Sequence, residues 1–234
     1  MKKYELAEET RTLADGTVLH RIRAVRDIEL ADGMVVKAGD LGGWLEGEGN
    51  LSQDGSAWVS GSARVCGDAF VYDKARVSGE AEVYDKARVF GEAEVYGKAE
   101  VCGEANVYGH AQVCGDAAVY EKARVYGESD VSGEAWVYGE AEVCGDALVG
   151  GEACIESNAV VESSRDYAVY KNTWSSMRWF TYTRSDRMWQ VGCFRGTGDE
   201  LIARAYEDGE LSGRCYEAVV RAQEAIDRAQ EAKR

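Results

Sequence analysis

The stretch ARVCGD-AFVYDK-ARVSGE, residues 63–80, decides the fold. Its hexads place alanine first (Ala63, Ala69, Ala75) and valine third (Val65, Val71, Val77), with Gly67 and Gly79 fifth in the outer two. Working outward, valine recurs at every sixth residue from Val59 to Val149, and Ile155 and Val161 continue the series. Alanine stands two places earlier from Ala57 to Ala159, broken only by Ser129. Asp73, Asp85, Glu121 and Ser157 replace the glycine. The A-x-V alternation has period two and puts alanine and valine on one side of a short strand. Glycine tolerates positive φ, so it marks a corner. One hexad is thus one strand and one corner, and it buries its apolar side only by stacking on further hexads.

The charges set the number of hexads per turn. The residue three after each valine, taken at every third hexad, gives the row Asp68, Lys86, Glu104, Lys122, Glu140 and the row Lys74, Glu92, His110, Glu128. Opposite charges are favoured as stacked neighbours and like charges are not. The alternation in both rows predicts 18 residues per turn, a triangular prism. The third row, Ser62, Glu80, Lys98, Asp116, Glu134, Glu152, obeys only in part.

Residues 43–164 resemble the hexapeptide-repeat family, and the VYG and VCG units resemble those of bacterial and phage proteins labelled as transferases. The glycine sits one position later than in many members. The resemblance implies a left-handed parallel β-helix and a trimer. It also implies acyl transfer from coenzyme A, with an active site between prisms and a histidine as general base. The fold expected is therefore mainly β: an N-terminal β cap (1–42), the β-helix (43–164) and a C-terminal α+β unit (165–234).

The flanks carry their own signals. Thr17 to Val25 alternates as a strand, between the turn signals Ala14-Asp15-Gly16 and Ala31-Asp32-Gly33. A cap is required there, because an open coil end exposes backbone groups and apolar interior. Leu45 and Leu51 keep the six-residue spacing, but Leu51 and Val59 are eight apart, which predicts a bulge. Beyond Val161, residues 179–183 and 188–194 read as two strands. Thr197 and Glu200 form a capping box for a short helix. A second helix is expected over 212–232, with Cys215, Val219, Ala222, Ile226 and Ala229 as its apolar stripe. The unit is therefore of the kind ββαα.

Composition narrows the function. The chain has no proline, which suits an unbroken ladder. An odd count of seven cysteines, without CxxC pairs or an apolar leader after Lys2-Lys3, predicts reduced thiols and a cytoplasmic setting. Cys66 and Cys102 share a face two coils apart, ~9–10 Å, too far for a disulfide. No apolar run reaches the ~18 residues that span a membrane. The net charge of −15 falls on residues 43–164, with −1 before them and +1 after. That sign excludes direct nucleic-acid binding.

His20 and His110 are the only histidines, too few for a three-histidine metal site, so no metal is expected. His110 is the one candidate base, and its place in a corner row makes a ladder role the simpler reading. The most site-like surface is the aromatic row with its guanidinium neighbours: Arg88, Phe90, Asn106, Tyr108, Arg124 and Tyr126. Such groups suit a small planar anionic ligand, a subunit interface or simple stacking. The acidic distal coils suit a basic partner, either Arg178, Arg184, Arg187 and Arg195 of the tail or a DNA-binding protein deceived by DNA-like charge. The reading reached is a non-enzymatic, homo-oligomeric binding protein without a cofactor, phage-related by resemblance, acting in host interaction or small-molecule sequestration. The alternatives are a coenzyme A-dependent acyltransferase and an acidic DNA mimic.

Overall fold

The computed structural model describes residues 2–232. From Trp58 to Val161 the chain is a parallel β-solenoid of two-residue strands, and partners lie eighteen residues apart, as in Arg64↔Glu82 and Val83↔Val101. Three sheets form the prism. The first runs from Arg64–Val65 to Cys154–Ile155, the second from Phe70–Val71 to Val160–Val161, the third from Trp58–Val59 to Leu148–Val149. The inward valines and alanines are at most 1% exposed, so the core is one thin column. Each buried valine contributes about 1.5–3 kcal/mol. Ser129 stays inside because its Oγ donates to the carbonyls of Tyr126 (2.9 Å) and Val143 (3.4 Å).

Every corner turns through a residue at positive φ. Asp73, Asp85, Glu121 and Ser157 all take φ of 57–58°, the conformation glycine supplies elsewhere. A glycine lies one coil beyond Asp73, Asp85 and Glu121, and at Gly91 and Gly103 its N–H donates to the aspartate carboxylate. At Gly115 (φ 72°) a Cβ would sit 3.0 Å from both N and O of Gly133. We expect Gly115→Ala to cost about 1–3 kcal/mol in urea unfolding; a neutral result would show that the corners can shift.

The expected bulge is a widened corner. Leu51 bridges Val71, twenty residues on, whereas Val59 pairs with Val77, and residues 52–56 absorb the extra length.

Both coil ends are closed by hydrogen bonds that replace a missing turn. Within the coil each strand N–H donates to a carbonyl one turn ahead, as Trp58 does to Ala75. At the start, the unmatched carbonyls of Ala57, Ala63 and Ala69 accept from Lys3 Nζ (2.8 Å), Trp44 N (2.9 Å) and Asn50 Nδ2 (3.0 Å). At the end, the unmatched N–H groups of Leu148, Cys154 and Val160 donate to Ser164 Oγ (3.2 Å), Thr181 Oγ1 (2.9 Å) and Ser185 Oγ (2.8 Å). The strand Leu41–Leu45 pairs parallel with Arg64–Val65 and antiparallel with Val18–Ala24, which pairs in turn with Tyr4–Thr12. The first face thus grows into a nine-stranded sheet with a hairpin arm.

Lys3 is fully buried, and burial, reinforced by Arg26, lowers its amine to about 8. Between pH 8 and the ordinary lysine value the unfolded chain holds a proton that the folded chain has lost. Stability from this group therefore rises with pH across that window, and the penalty is fully present below it. The tyrosines and thiols with raised values act in the opposite direction. The difference between wild type and Lys3→Met isolates the lysine, and it should grow by about 1–2 kcal/mol in favour of wild type from pH 7.5 to 9.5. A pH-independent difference would contradict this.

The tail has four antiparallel strands, two more than its sequence predicts: Tyr167–Lys171, Trp179–Thr183, Met188–Val191 and Phe194–Gly196. Helices α1 (Gly198–Asp208) and α2 (Glu210–Glu231) follow, and α1 carries the capping box of Thr197 and Glu200. The expected stripe of α2 is not its buried face. Ala222, Ile226 and Ala229 are exposed and Cys215 and Val219 half-buried, whereas Tyr216, Val220, Gln223 and Asp227 face the sheet and Gly213 lies against Tyr206 of α1. The reason is polar. Asp227 accepts from Tyr182, from Arg184 (3.0 and 3.2 Å) and from Gln223 (2.9 Å), while Gln223 accepts from Tyr170 (2.6 Å). A satisfied polar group tolerates burial that hydropathy alone denies it.

Candidate functional site

The structure gathers the six predicted residues on the second face. Tyr72, Phe90, Tyr108 and Tyr126 stack at 4.8–4.9 Å with interplanar angles of 4–7°. Ring faces are therefore occupied by other rings. Arg124 pairs with Glu142, Tyr126 donates to the same carboxylate (2.9 Å), and Asn106 donates to the Glu104 carbonyl (2.9 Å). Hydrogen bonds with Cys144 and Glu142 raise the Tyr126 phenol above its ordinary value. Arg88 is exposed and, among the described residues, forms no ion pair. The surface is a self-satisfied ladder without a recess of its own among the cavities described below.

His110 is an exposed corner residue with Nδ1 3.6 Å from Glu92, whose other oxygen binds Lys74 (2.8 Å). The charge ladder thus forms as its sequence predicts, and Lys86–Glu104 and Lys122–Glu140 (3.5 Å each) continue it. His20 lies in the cap opposite Thr10 and Leu45. Among the described residues no group of three or more His, Cys, Asp or Glu is placed to hold a metal ion.

The concave surface lies elsewhere, on the first face. A groove of about 910 Å³ runs along it from Arg11 of the hairpin arm to Trp136. A second cavity of about 390 Å³ begins at Trp136 and ends against Arg178, Trp179 and Gln190 of the tail. Together they form a trough that the cap overhangs at one end and the tail at the other. Its floor is the outward strand row Arg64, Glu82, Glu100, Ala118, Trp136, Cys154. Arg64 and Glu82 neutralise each other. Ala118 leaves a notch between Glu100 and Trp136, and Trp136 is 53% exposed, meeting Tyr120 edge-on at 6.5 Å. One rim carries Tyr84, Cys102 and Tyr120, the other Glu80, Lys98, Asp116, Glu134 and Glu152.

No family model matches this chain, and no curated protein matches it. The trough's chemistry has to be read from its own residues.

Burial raises the thiols of Cys102 and Cys154 and pushes Tyr120 up to about 12. A hydrogen bond with Cys102, then burial, raises Tyr84. Protonated thiols and phenols are poor nucleophiles. Of Arg178, Arg184, Arg187 and Arg195, only Arg195 is ion-paired to the coil among the described residues, at Glu156 (2.9 Å); Arg184 and Arg187 bind Asp227 and Glu231 inside the tail. Among the described residues no helix is long and apolar enough to cross a membrane.

Trp136 and Ala118 were not among the residues singled out from the sequence. Every eighteenth residue from Arg64 does show the change, as charged side chains give way to alanine and tryptophan. The overhangs that turn this row into a trough are non-local and have no signature in the repeat.

Proposed function

We propose that this chain is a binding protein whose working surface is the trough, and that it has no catalytic step of its own. One observation carries the reading: an exposed tryptophan stands beside a notch in the concave face, where the cap and tail enclose the floor. Exposed aromatic side chains in concave surfaces are typical anchors of interfaces. Folding gives little reason to leave this one half in water, since a smaller outward residue would serve the strand.

The proposal keeps the hexapeptide-repeat, left-handed character, cytoplasmic residence, self-association and phage relationship expected from the sequence. It also keeps a basic partner from the DNA-mimic alternative. Coenzyme A-dependent acyl transfer is the competing reading, and it requires His110 to work from an exposed corner ladder. Calorimetric titration with coenzyme A, on wild type and His110→Ala, separates the two. The binding reading expects no saturable heat and a stability change under about 1 kcal/mol for His110→Ala. Saturable binding lost with His110 would overturn it.

A further inference from the structure

We infer that the trough accepts an extended segment of another protein and seats one lysine or arginine side chain over Ala118, against Trp136 and beside Asp116, Glu134 and Glu152. This rests on the binding reading and specifies the partner's chemistry.

Two independent features of the trough agree. The first is shape. Ala118 is flanked along the floor by Glu100 and Trp136 and across it by Asp116 and Tyr120, so the missing side chain leaves a socket with an acidic wall and an aromatic wall. A cation over an indole face gains attraction that increases as water is excluded, and tryptophan is the best of the aromatic partners.

The second is charge. Asp116, Glu134 and Glu152 occupy the same corner in three successive turns, the longest like-charge run of the three corner rows. The other corner rows pair Lys74 with Glu92, Lys86 with Glu104 and Lys122 with Glu140 at ion-pair distance, and their single like-charged step is Glu128 to Asp146. Stacked like charges disfavour the fold, so this run departs from the coil's own rule where the socket lies. Departures of that kind concentrate at functional sites. Among the described residues no basic group lies within 4.0 Å of these three carboxylates, although Lys98 stands one turn before Asp116 and Arg178 lines the far cavity.

The trough's length favours a chain over a free cation. Six strands of the floor span ~24 Å, enough for about seven extended residues. Arg11, Lys98 and Arg178 along the way disfavour a uniformly cationic ligand such as a polyamine. They suit a segment in which one basic residue is set among neutral ones.

The test follows the tryptophan indole ¹⁵N–¹H signals of the full chain. It uses four probes: a nonapeptide of alternating serine and alanine with arginine at its centre, the same peptide with glutamate or norleucine there, and spermine. The arginine peptide should shift the Trp136 signal saturably and bind about tenfold tighter than the glutamate peptide. Its affinity should fall as salt rises and drop about tenfold in the Glu134→Gln/Glu152→Gln chain, whose exposed substitutions leave folding intact. Equal or tighter binding of the glutamate or norleucine peptide at Trp136 would overturn the cationic assignment and leave the trough as a docking face. Spermine binding there in place of the peptides would overturn the protein-segment assignment. No response at Trp136 to any probe at about 5 mM, far above the micromolar range of specific contacts, would overturn the inference. The docking reading would then be decided separately by footprinting.

Discussion

A Val119→Asp chain is expected to lose cooperative unfolding. Val119 is fully buried between Val101 and Val137 in the stacked column, and nothing in that column except Ser129 is polar. A carboxylate there has no partner and no water, which costs about 3–5 kcal/mol when the charge stays. A solenoid turn touches only the turns beside it, so the damage is not shared across the molecule. The turns before and after residue 119 should unfold as separate units. Urea denaturation followed by circular dichroism should show two shallow transitions in place of one steep transition. A single transition displaced by less than about 1 kcal/mol would mean that the interior can admit water and is not the dry column described.

The second large effect belongs to the tail. Asp227→Ala removes the acceptor shared by Tyr182, Arg184 and Gln223 and leaves the Arg184 guanidinium, only 18% exposed, without a counter-charge. Breaking one partner of a buried ion pair costs about 3–5 kcal/mol. The helical signal of α1 and α2 should melt first, while most of the coil persists. Because Thr181 and Ser185 also close the coil's last turn, protection of the Cys154 and Val160 amides should fall with it. Asp227→Asn keeps an acceptor but not the charge and should lose about 1–3 kcal/mol. If Asp227→Ala melts with wild type, the buried network does not hold the tail together.

The coil was legible because every residue in it answers to a local rule repeated many times. Valine and alanine report the inner face, glycine the corner, and the rows containing Lys74, Glu92 and His110 report the turn length through their charges. The end caps were legible only as a need. Nothing in the sequence of Lys3 or Thr181 announces that its polar atom replaces a missing strand, because the partner is remote and the bond is single. The face of α2 was misread because hydropathy ranks Ile226 above Asp227. Hydrogen bonds to Tyr182 and Arg184 reverse that order. The aromatic row was read correctly as a row, but stacking leaves its ring faces with no vacancy. The trough needed three separate stretches of chain to meet, the hairpin arm, the floor and the tail, so no window of sequence contains it.

Hydroxyl-radical footprinting tests the central claim most directly, with the protein labelled inside expressing cells of its native host and again after purification. The account expects Trp136, Tyr84 and Tyr120 to be protected in cells relative to the purified chain, with Tyr72, Phe90, Tyr108 and Tyr126 labelled alike in both. Protection of the aromatic ladder with an unprotected Trp136 would place the working surface on the second face and contradict the account.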